Sequence, residues 1–144
     1  MKNTELGIVD LVSIIRKRSN IFIEQELKKR GIDGIVPAHG AVLKCLFEQS
    51  EAVPLSVIVR KTSRAKSTIT VTLRNLEKNE YIKRLSNDKD ARSNLIELTE
   101  KGRRLEQDFY DISVKLERYV CGGMSLQKKT QLSTLLREIV ERTK

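Results

Sequence analysis

The sequence predicts a mainly α-helical protein with one small β element, and three observations lead to this fold class. Apolar residues recur at helical spacing through most of the chain, and only two short segments have the composition of strands. The 144 residues are 39% hydrophobic and 33% charged, as in helix-rich globular proteins, and are too apolar for a disordered tail. A chain of this length can form one core without disulfides or metals.

Three helices are predicted in the N-terminal half. The first extends through the apolar positions between Leu6 and Leu27 and ends near Gly31, because glycine is a common helix stop. The second follows Pro37 and buries a face made of Ala41, Val42, Cys45 and Leu46. The third covers residues 55–62 and leads into the turn Thr62-Ser63-Arg64-Ala65.

The segment of residues 66–79 fits two structures. Ile69, Val71 and Leu73 alternate with polar residues as in a half-buried strand, and the β-branched run of residues 68–72 favours that assignment. Over a longer window, Ile69, Leu73 and Leu76 lie at i, i+4 and i+7, and good helix formers follow. We therefore predict a helix.

Two strands and two helices are predicted for the rest of the chain. Residues 81–85 and 95–98 have strand patterns and flank a charged loop, residues 86–94. Thr99 is a candidate N-cap for one long helix that ends at Cys121-Gly122-Gly123. Ser125 is a candidate cap for a last helix, and both helices carry apolar stripes.

The positive charge of the chain is concentrated in one region. The formal net charge is +9, which favours an anionic partner. Residues 52–76 contain no Asp or Glu, and residues 60–92 contain ten basic and four acidic side chains. This quarter of the sequence therefore supplies six of the nine net charges and is the predicted anion-facing surface.

The helix of residues 66–79 is predicted to meet DNA. If its apolar positions are buried, Ser67, Val71, Arg74 and Lys78 are exposed on the opposite face, with Thr68, Thr70 and Asn75 beside them. Small hydroxyl side chains let a helix enter a major groove, and an arginine can bind guanine through two hydrogen bonds. Two helices joined by a tight turn form a helix-turn-helix unit.

The charged loop is a second candidate DNA contact. Lys89 and Arg92 lie where a basic finger could enter the negative minor groove. The carboxylates of Asp88 and Asp90 fit this role if one of them holds the arginine in place and caps the turn. The alternative is a surface hairpin of mixed charge.

This order of elements resembles the MarR family, the multiple antibiotic resistance regulators, over nearly the whole chain. The most specific part is Asp88-Lys89-Asp90-Ala91-Arg92 followed by Leu98-Thr99-Glu100-Lys101-Gly102. It is similar to the family's wing signature, Asp-x-Arg-Asp-x-Arg leading to Leu-Thr-x-x-Gly. Residues 67–76, followed by Tyr81-Ile82-Lys83-Arg84, resemble its recognition helix and first wing strand.

The resemblance implies a winged helix-turn-helix homodimer that regulates transcription, as a repressor or an activator, from a pseudo-palindromic operator in double-stranded DNA. It implies a DNA-binding part at residues 37–98 and a helical dimerisation part at residues 1–36 and 99–144, within one protomer of residues 1–144. It further implies a minor-groove contact by Arg92, oriented by Asp90, with Lys89 beside them. The recognition-helix positions are Arg64, Ser67, Thr68, Thr70, Val71 and Arg74.

Two positions depart from the family pattern. Lys89 replaces the first arginine of the signature, which keeps the charge and loses the planar fork. Glu80 stands where the family usually has glycine after the recognition helix. Since a left-handed backbone at a non-glycine residue costs about 1 kcal/mol, we expect Asn79 to adopt that conformation instead.

Other functions have weaker support. Many family members respond to small phenolic ligands or to cysteine oxidation, so a small-molecule effector and a thiol sensor at Cys45 or Cys121 are both considered, without an assigned pocket. The candidate acid–base groups are Glu24 and Glu26 near Lys28, and the single histidine, His39, near Lys44. Each fits a solvated helix face or a capping role better than catalysis. The sequence therefore predicts a protein that is not an enzyme and needs no cofactor or metal.

The expected location is the cytoplasm. The first residues lack the order of a signal peptide, and no apolar run reaches the length of a membrane-spanning helix. A membrane-surface protein would carry a continuous basic amphipathic helix, whereas this charge is interrupted by a turn and a hairpin.

Overall fold

The computed structural model describes the backbone of residues 5–87 and 90–144, and the side chains of these residues outside 87–93. Helices dominate, and the predicted mainly α fold with a small sheet is confirmed. The helices are α1 (Ile8–Lys29), α2 (Gly40–Phe47), α3 (Leu55–Thr62), α4 (Lys66–Lys78), α5 (Glu100–Arg103), α6 (Leu105–Cys121) and α7 (Leu126–Arg142), with a 3-10 turn at Pro37–His39. The strands are β1 (Val53–Pro54), β2 (Ile82–Asn87) and β3 (Asp90–Leu98).

The three strands form one antiparallel sheet with β3 in the centre. β2 and β3 pair from Ile82 opposite Leu98 to Ser86 opposite Asn94, and β1 pairs Val53 with Ile96. The predicted charged loop of residues 86–94 is therefore too long, because both strands continue into it. Ladder hydrogen bonds use the backbone, so polar side chains with no apolar pattern can still belong to a solvated hairpin.

The core lies between α2, α3, α4 and the sheet. Its fully buried side chains include Leu43, Ile58, Ile69, Leu73, Leu76 and Ile96. The apolar positions of residues 66–79 are thus buried from a helix, and the helical prediction for this segment is confirmed. Cys45 is buried as predicted.

Both predicted N-caps are present. The Thr99 hydroxyl accepts a hydrogen bond from Gly102 N, and the Ser125 hydroxyl accepts one from Lys128 N. The long helix predicted after Thr99 is divided into α5 and α6, which Arg104 joins with helical backbone angles. Gly102 lies at this point, and glycine is a poor helix former in a helix interior.

The prediction for Asn79 is wrong, because Glu80 itself has the left-handed backbone, with φ of 62°. Asn79 has φ of −90° and remains the C-cap of α4. The turn is held by backbone hydrogen bonds from Glu80 N to Glu77 O and from Tyr81 N to Leu76 O. These bonds end the helix at a fixed position, so the strain is carried by whichever residue occupies position 80.

A charged cluster joins α1 to α6. Lys29 and Lys115 each lie 3.3 Å from a carboxylate oxygen of Glu26, and Arg30 lies 2.9 Å from Asp108. Glu26 is buried, so its predicted place on a solvated face is wrong. Burial raises its pKa, but hydrogen bonds and charges from Lys29 and Lys115 outweigh burial and leave the pKa below its ordinary value.

The terminal helices keep large apolar side chains exposed. In α7, all of which the structure describes, no residue is buried. Leu135 and Val140 of α7 are 57% and 61% exposed, and Val9 of α1 is 78% exposed. None of the helices in the described residues is long and apolar enough to cross a membrane.

Candidate nucleic-acid interface

Helices α3 and α4 form the predicted helix-turn-helix unit. The turn contains three residues, Ser63 to Ala65, because Thr62 is still helical, so the predicted four-residue turn is one residue too long. Ser63 ends α3 in the left-handed conformation, with φ of 52°. The reversal places the N-terminus of α4 at the surface while its apolar side packs on α2 and α3.

The exposed face of α4 contains the predicted residues. Val71 is 51% exposed, and Ser67, Thr68 and Arg74 are exposed, as is Arg64 in the turn. Thr70 is half-buried, and its hydroxyl donates a hydrogen bond to Lys66 O at 2.8 Å. The geometry thus brings five of the six helix positions to one open surface, while Thr70 retains only acceptor capacity toward a ligand.

The predicted wing residues are described in part. Asp90 begins β3 and Arg92 lies within it, so both belong to a strand instead of a loop. Lys89 lies outside the described residues, as do the side chains of Asp90 and Arg92. The pairing of Asp90 with Arg92 stays a prediction.

A basic groove that the sequence reasoning did not assign lies beside α4. It has a volume of about 580 Å³ and runs between the start of α3, the start of α4 and the sheet. Its lining includes Ser56, Arg60, Lys66 and Arg84. Arg60 and Lys66 belong to the acid-free stretch, but Arg84 was hidden in a strand pattern, so only the register of the sheet places it here.

Arg84 is also tied to α4. Its Nε donates a hydrogen bond to Glu77 Oε2 at 2.9 Å, which joins the first wing strand to the helix. The pair offsets one positive charge of the groove. Hydroxyl and cationic side chains that surround a helix in this way can contact phosphates and base edges.

A second crevice lies between α2 and α6. It measures about 450 Å³ and is lined by Lys44, Phe47, Glu48, Phe109 and Tyr110, among others. A smaller apolar cavity of about 110 Å³ lies beside it, between α1, α6 and the 3-10 turn. The mixture of aromatic rings with charged groups can accommodate a small amphipathic molecule.

His39 and Cys45 have structural roles in the described residues. Val36 N donates a hydrogen bond to His39 Nδ1 at 3.3 Å, which confirms the capping role, and burial lowers the pKa of His39. Burial also raises the pKa of Cys45, so its reactive thiolate form is disfavoured. Cys121 is partly exposed at the end of α6.

Comparisons with known proteins agree with this geometry. A family model described as "Transcriptional regulator SarA/Rot" matches residues 39–109, from the start of α2 into α6. The HTH-type transcriptional regulator SarZ of Staphylococcus aureus is 28% identical over 111 residues, which cover 77% of this chain and 69% of SarZ.

Solved structures show the same fold. A DNA complex of S. aureus MepR matches with a TM-score of 0.85 at 24% identity, over 96% of this chain and 99% of MepR. Bordetella bronchiseptica BpsR, described with 6-hydroxynicotinic acid as a regulator of its DNA binding, matches with a TM-score of 0.81 at 19% identity, over 97% of both chains. Both neighbours are MarR-family regulators.

The chain therefore has the winged-helix fold of these regulators, and its sequence is similar to SarZ and to the SarA/Rot model. SarZ is an HTH-type transcriptional regulator and MepR has been solved with DNA, so the comparisons support a role in DNA-binding regulation. In the resemblance described above, α4 corresponds to the recognition helix, and the hairpin of β2 and β3 corresponds to the wing.

Proposed function

We propose that this chain is a MarR-type regulator that acts in the cytoplasm as a homodimeric repressor on a pseudo-palindromic operator. Helix α4 enters the major groove with Ser67, Thr68, Val71 and Arg74, and the wing enters the minor groove with Arg92. The observation that carries the proposal is the exposed face of α4, where hydroxyl and basic side chains stand opposite a fully buried apolar face.

The basic groove supports contacts to the DNA backbone. Arg60 and Lys66 flank the start of α4, and Arg64 is exposed in the turn. Cations on both sides of a recognition helix fix its register on the phosphates, whereas its central side chains read the bases. We therefore assign phosphate contacts to these three residues and base contacts to Arg74 and the nearby hydroxyls.

The exposed apolar surfaces of α1, α6 and α7 support a homodimer. A helix without buried residues, such as α7, gains little stability from packing within a single chain. Exposed large apolar side chains that recur along three helices are typical of an interface between subunits. Residues 1–36 and 99–144 then form the dimerisation part, and residues 37–98 form the DNA-binding part.

A small aromatic ligand is the proposed effector. The crevice between α2 and α6 offers the rings of Phe47, Phe109 and Tyr110 together with Lys44. It lies between the DNA-binding part and the dimerisation part, so an occupant contacts both. BpsR, which has the same fold, is regulated by an aromatic acid, and we extend that class of ligand to this chain.

The experiment measures the DNA affinity of wild type, Arg74→Ala, Arg92→Ala and Lys66→Ala at several salt concentrations. The DNA comes from upstream of the protein's own coding sequence. We expect Arg74→Ala to lose about 1–3 kcal/mol of binding energy and much of its preference over random DNA, because a bidentate base contact is removed. Lys66→Ala should weaken both DNAs equally and lower the salt slope by about one unit.

Arg104→Ala is the matched control, because the Arg104 side chain is 74% exposed and pairs only locally, with Glu100 four residues earlier. Its affinity should stay within about twofold of wild type. If the Arg74 and Arg92 variants remain folded and bind as tightly as wild type, the assigned contacts are wrong.

A further inference from the structure

The carbonyl groups that follow α4 are all held by the segment that begins α5. Lys101 Nζ donates a hydrogen bond to Asn79 O at 2.8 Å, and the Thr99 hydroxyl donates one to Glu80 O at 2.6 Å. Thr99 N donates a third to Tyr81 O at 3.0 Å. Three consecutive carbonyl groups at the end of α4 thus accept hydrogen bonds from three donors on two residues, Thr99 and Lys101.

The backbone of Gly102 also packs closely against the backbone of Tyr81. A Cβ added to Gly102 would lie 2.1 Å from Tyr81 O, so the two backbones touch. Lys101 Nζ also lies 4.4 Å from the centroid of the Tyr81 ring, within the range of a cation–π contact. We call residues 79–81 and 99–102 the α4–α5 junction.

Burial of the apolar face holds α4 in the core, but the junction fixes its C-terminal end relative to α5. Apolar packing of Ile69, Leu73 and Leu76 resists separation of the helix from the core. Directional hydrogen bonds at one end of the helix resist tilting, because their energy falls steeply with angle. Lys101 is exposed, so its hydrogen bond helps to fix the orientation of α4 while its side chain adds nothing to the core.

We propose that Lys101 and Thr99 are positioning residues that set the distance and angle between the two recognition helices of the dimer. Helix α5 continues through Arg104 into α6, which carries part of the exposed apolar surface assigned above to dimerisation. One route from one recognition helix to the other therefore passes through this junction in each protomer. The inference rests on the proposed homodimeric operator binding.

A rigid junction makes a specific prediction about operator spacing. Adding one base pair between half-sites moves them apart by about 3.4 Å and rotates them by about 35°. A dimer with rigidly held recognition helices binds the altered site poorly. A dimer with loosely held recognition helices loses affinity for the natural spacing but adapts better to the altered spacing. The preference for one half-site spacing thus distinguishes a positioning role from an effect on protein stability or on net charge, because those effects would change the affinity for every spacing equally.

The experiment measures the affinity of wild type, Lys101→Ala and Arg104→Ala for the operator, for operators with one base pair added or removed at the centre, and for a single half-site. We expect Lys101→Ala to lower the preference for the natural spacing by about threefold or more, with half-site affinity within about twofold of wild type. Arg104→Ala removes the same charge from the next turn and should keep the wild-type preference.

Thr99→Val and Thr99→Ser provide a second pair, because serine retains the hydroxyl that contacts Glu80 O and valine removes it. Reduced spacing preference in Thr99→Val, restored in Thr99→Ser, supports the proposal. An equal loss of affinity on every spacing, or an unchanged preference in both Lys101→Ala and Thr99→Val, overturns it. If wild type shows no preference for its operator over random DNA, the proposed function itself fails, and that result is read from wild type alone.

Discussion

Glu80 occupies the left-handed turn at which the family usually carries glycine. Its φ of 62° follows from the hydrogen bonds that end α4 and begin β2, and its carbonyl accepts the Thr99 hydroxyl. A side chain in this conformation costs free energy that glycine avoids. The chain therefore retains a small backbone strain directly after α4.

We predict that Glu80→Gly raises the free energy of unfolding by about 0.5–1 kcal/mol, since the relief of strain exceeds the extra backbone entropy of glycine. Urea denaturation measures this change. Lys78→Gly is the control, because position 78 is exposed and helical, and there glycine should destabilise by about 1 kcal/mol. Equal destabilisation by both substitutions would show that position 80 is unstrained.

His39 gives the fold a pH dependence. Burial lowers its pKa below the ordinary 6.5, so the unfolded chain binds more protons than the folded chain just below that pH. The stability contributed by neutral His39 is complete above pH 6.5 and is lost as the pH falls toward the lowered folded-state pKa. The carboxyl of Glu26 acts in a separate range, since its folded pKa lies below 4.5.

We therefore expect the urea midpoint of wild type to fall between about pH 7 and about pH 5.5. His39→Asn should show a shallower fall, because an amide oxygen can accept the bond from Val36 N without taking up a proton. Parallel pH profiles for the two proteins would refute the assignment to His39.

Helix α4 shows how an element can contradict its local pattern. The run of Thr and Val around residue 70 favours a strand, yet Ile69, Leu73 and Leu76 are all fully buried from a helix. Burial of three large apolar side chains outweighs a propensity difference of a few tenths of a kcal/mol per residue. The same β-branched and hydroxyl residues have short side chains, so the exposed face of the helix is narrow.

The ion pair between Glu77 of α4 and Arg84 of β2 offsets one positive charge of the proposed DNA-binding surface. We predict that Glu77→Gln raises the affinity for DNA by about threefold and steepens the salt dependence by about one unit, because Arg84 gains freedom to bind a phosphate. Fluorescence anisotropy at several salt concentrations measures both. Glu141→Gln removes an equal charge from the end of α7 and should have no effect, whereas weaker binding by Glu77→Gln would mean that Glu77 orients Arg84 usefully.

At the scale of the whole molecule, the described chain has one well-buried region and a long apolar surface without cover. The core lies under α4 and the sheet, while the large side chains of α1 and α7 remain open. In the proposed homodimer, a second copy covers this surface and brings two recognition helices onto one face.

We predict that Leu135→Asp converts the dimer to a monomer and abolishes tight operator binding. Leu135 is 57% exposed in the single chain, so the substitution should disturb the interface without disturbing the core. Sedimentation velocity measures the mass. Val71→Asp, at a residue 51% exposed on α4, should remain dimeric, and a dimeric Leu135→Asp protein would exclude α7 from the interface.

Much of the organisation follows from local chemistry and could be predicted. Helical spacing located α1, α4 and α7, the hydroxyls of Thr99 and Ser125 identified two N-caps, and the acid-free stretch located the basic surface. These features depend on residues within a few positions of one another, so the linear pattern contains the information.

The remaining features depend on contacts between distant segments. The burial of Glu26 requires Lys115 from α6, and the place of Arg84 in the basic groove requires the register of β2 on β3. The hydrogen bonds to the carbonyls of Asn79 and Glu80 require the segment that begins α5. A side chain or a backbone angle is stabilised there by partners that only folding brings near. Composition and periodicity therefore identify a basic helix that can read DNA, and the tertiary structure alone decides how that helix is held.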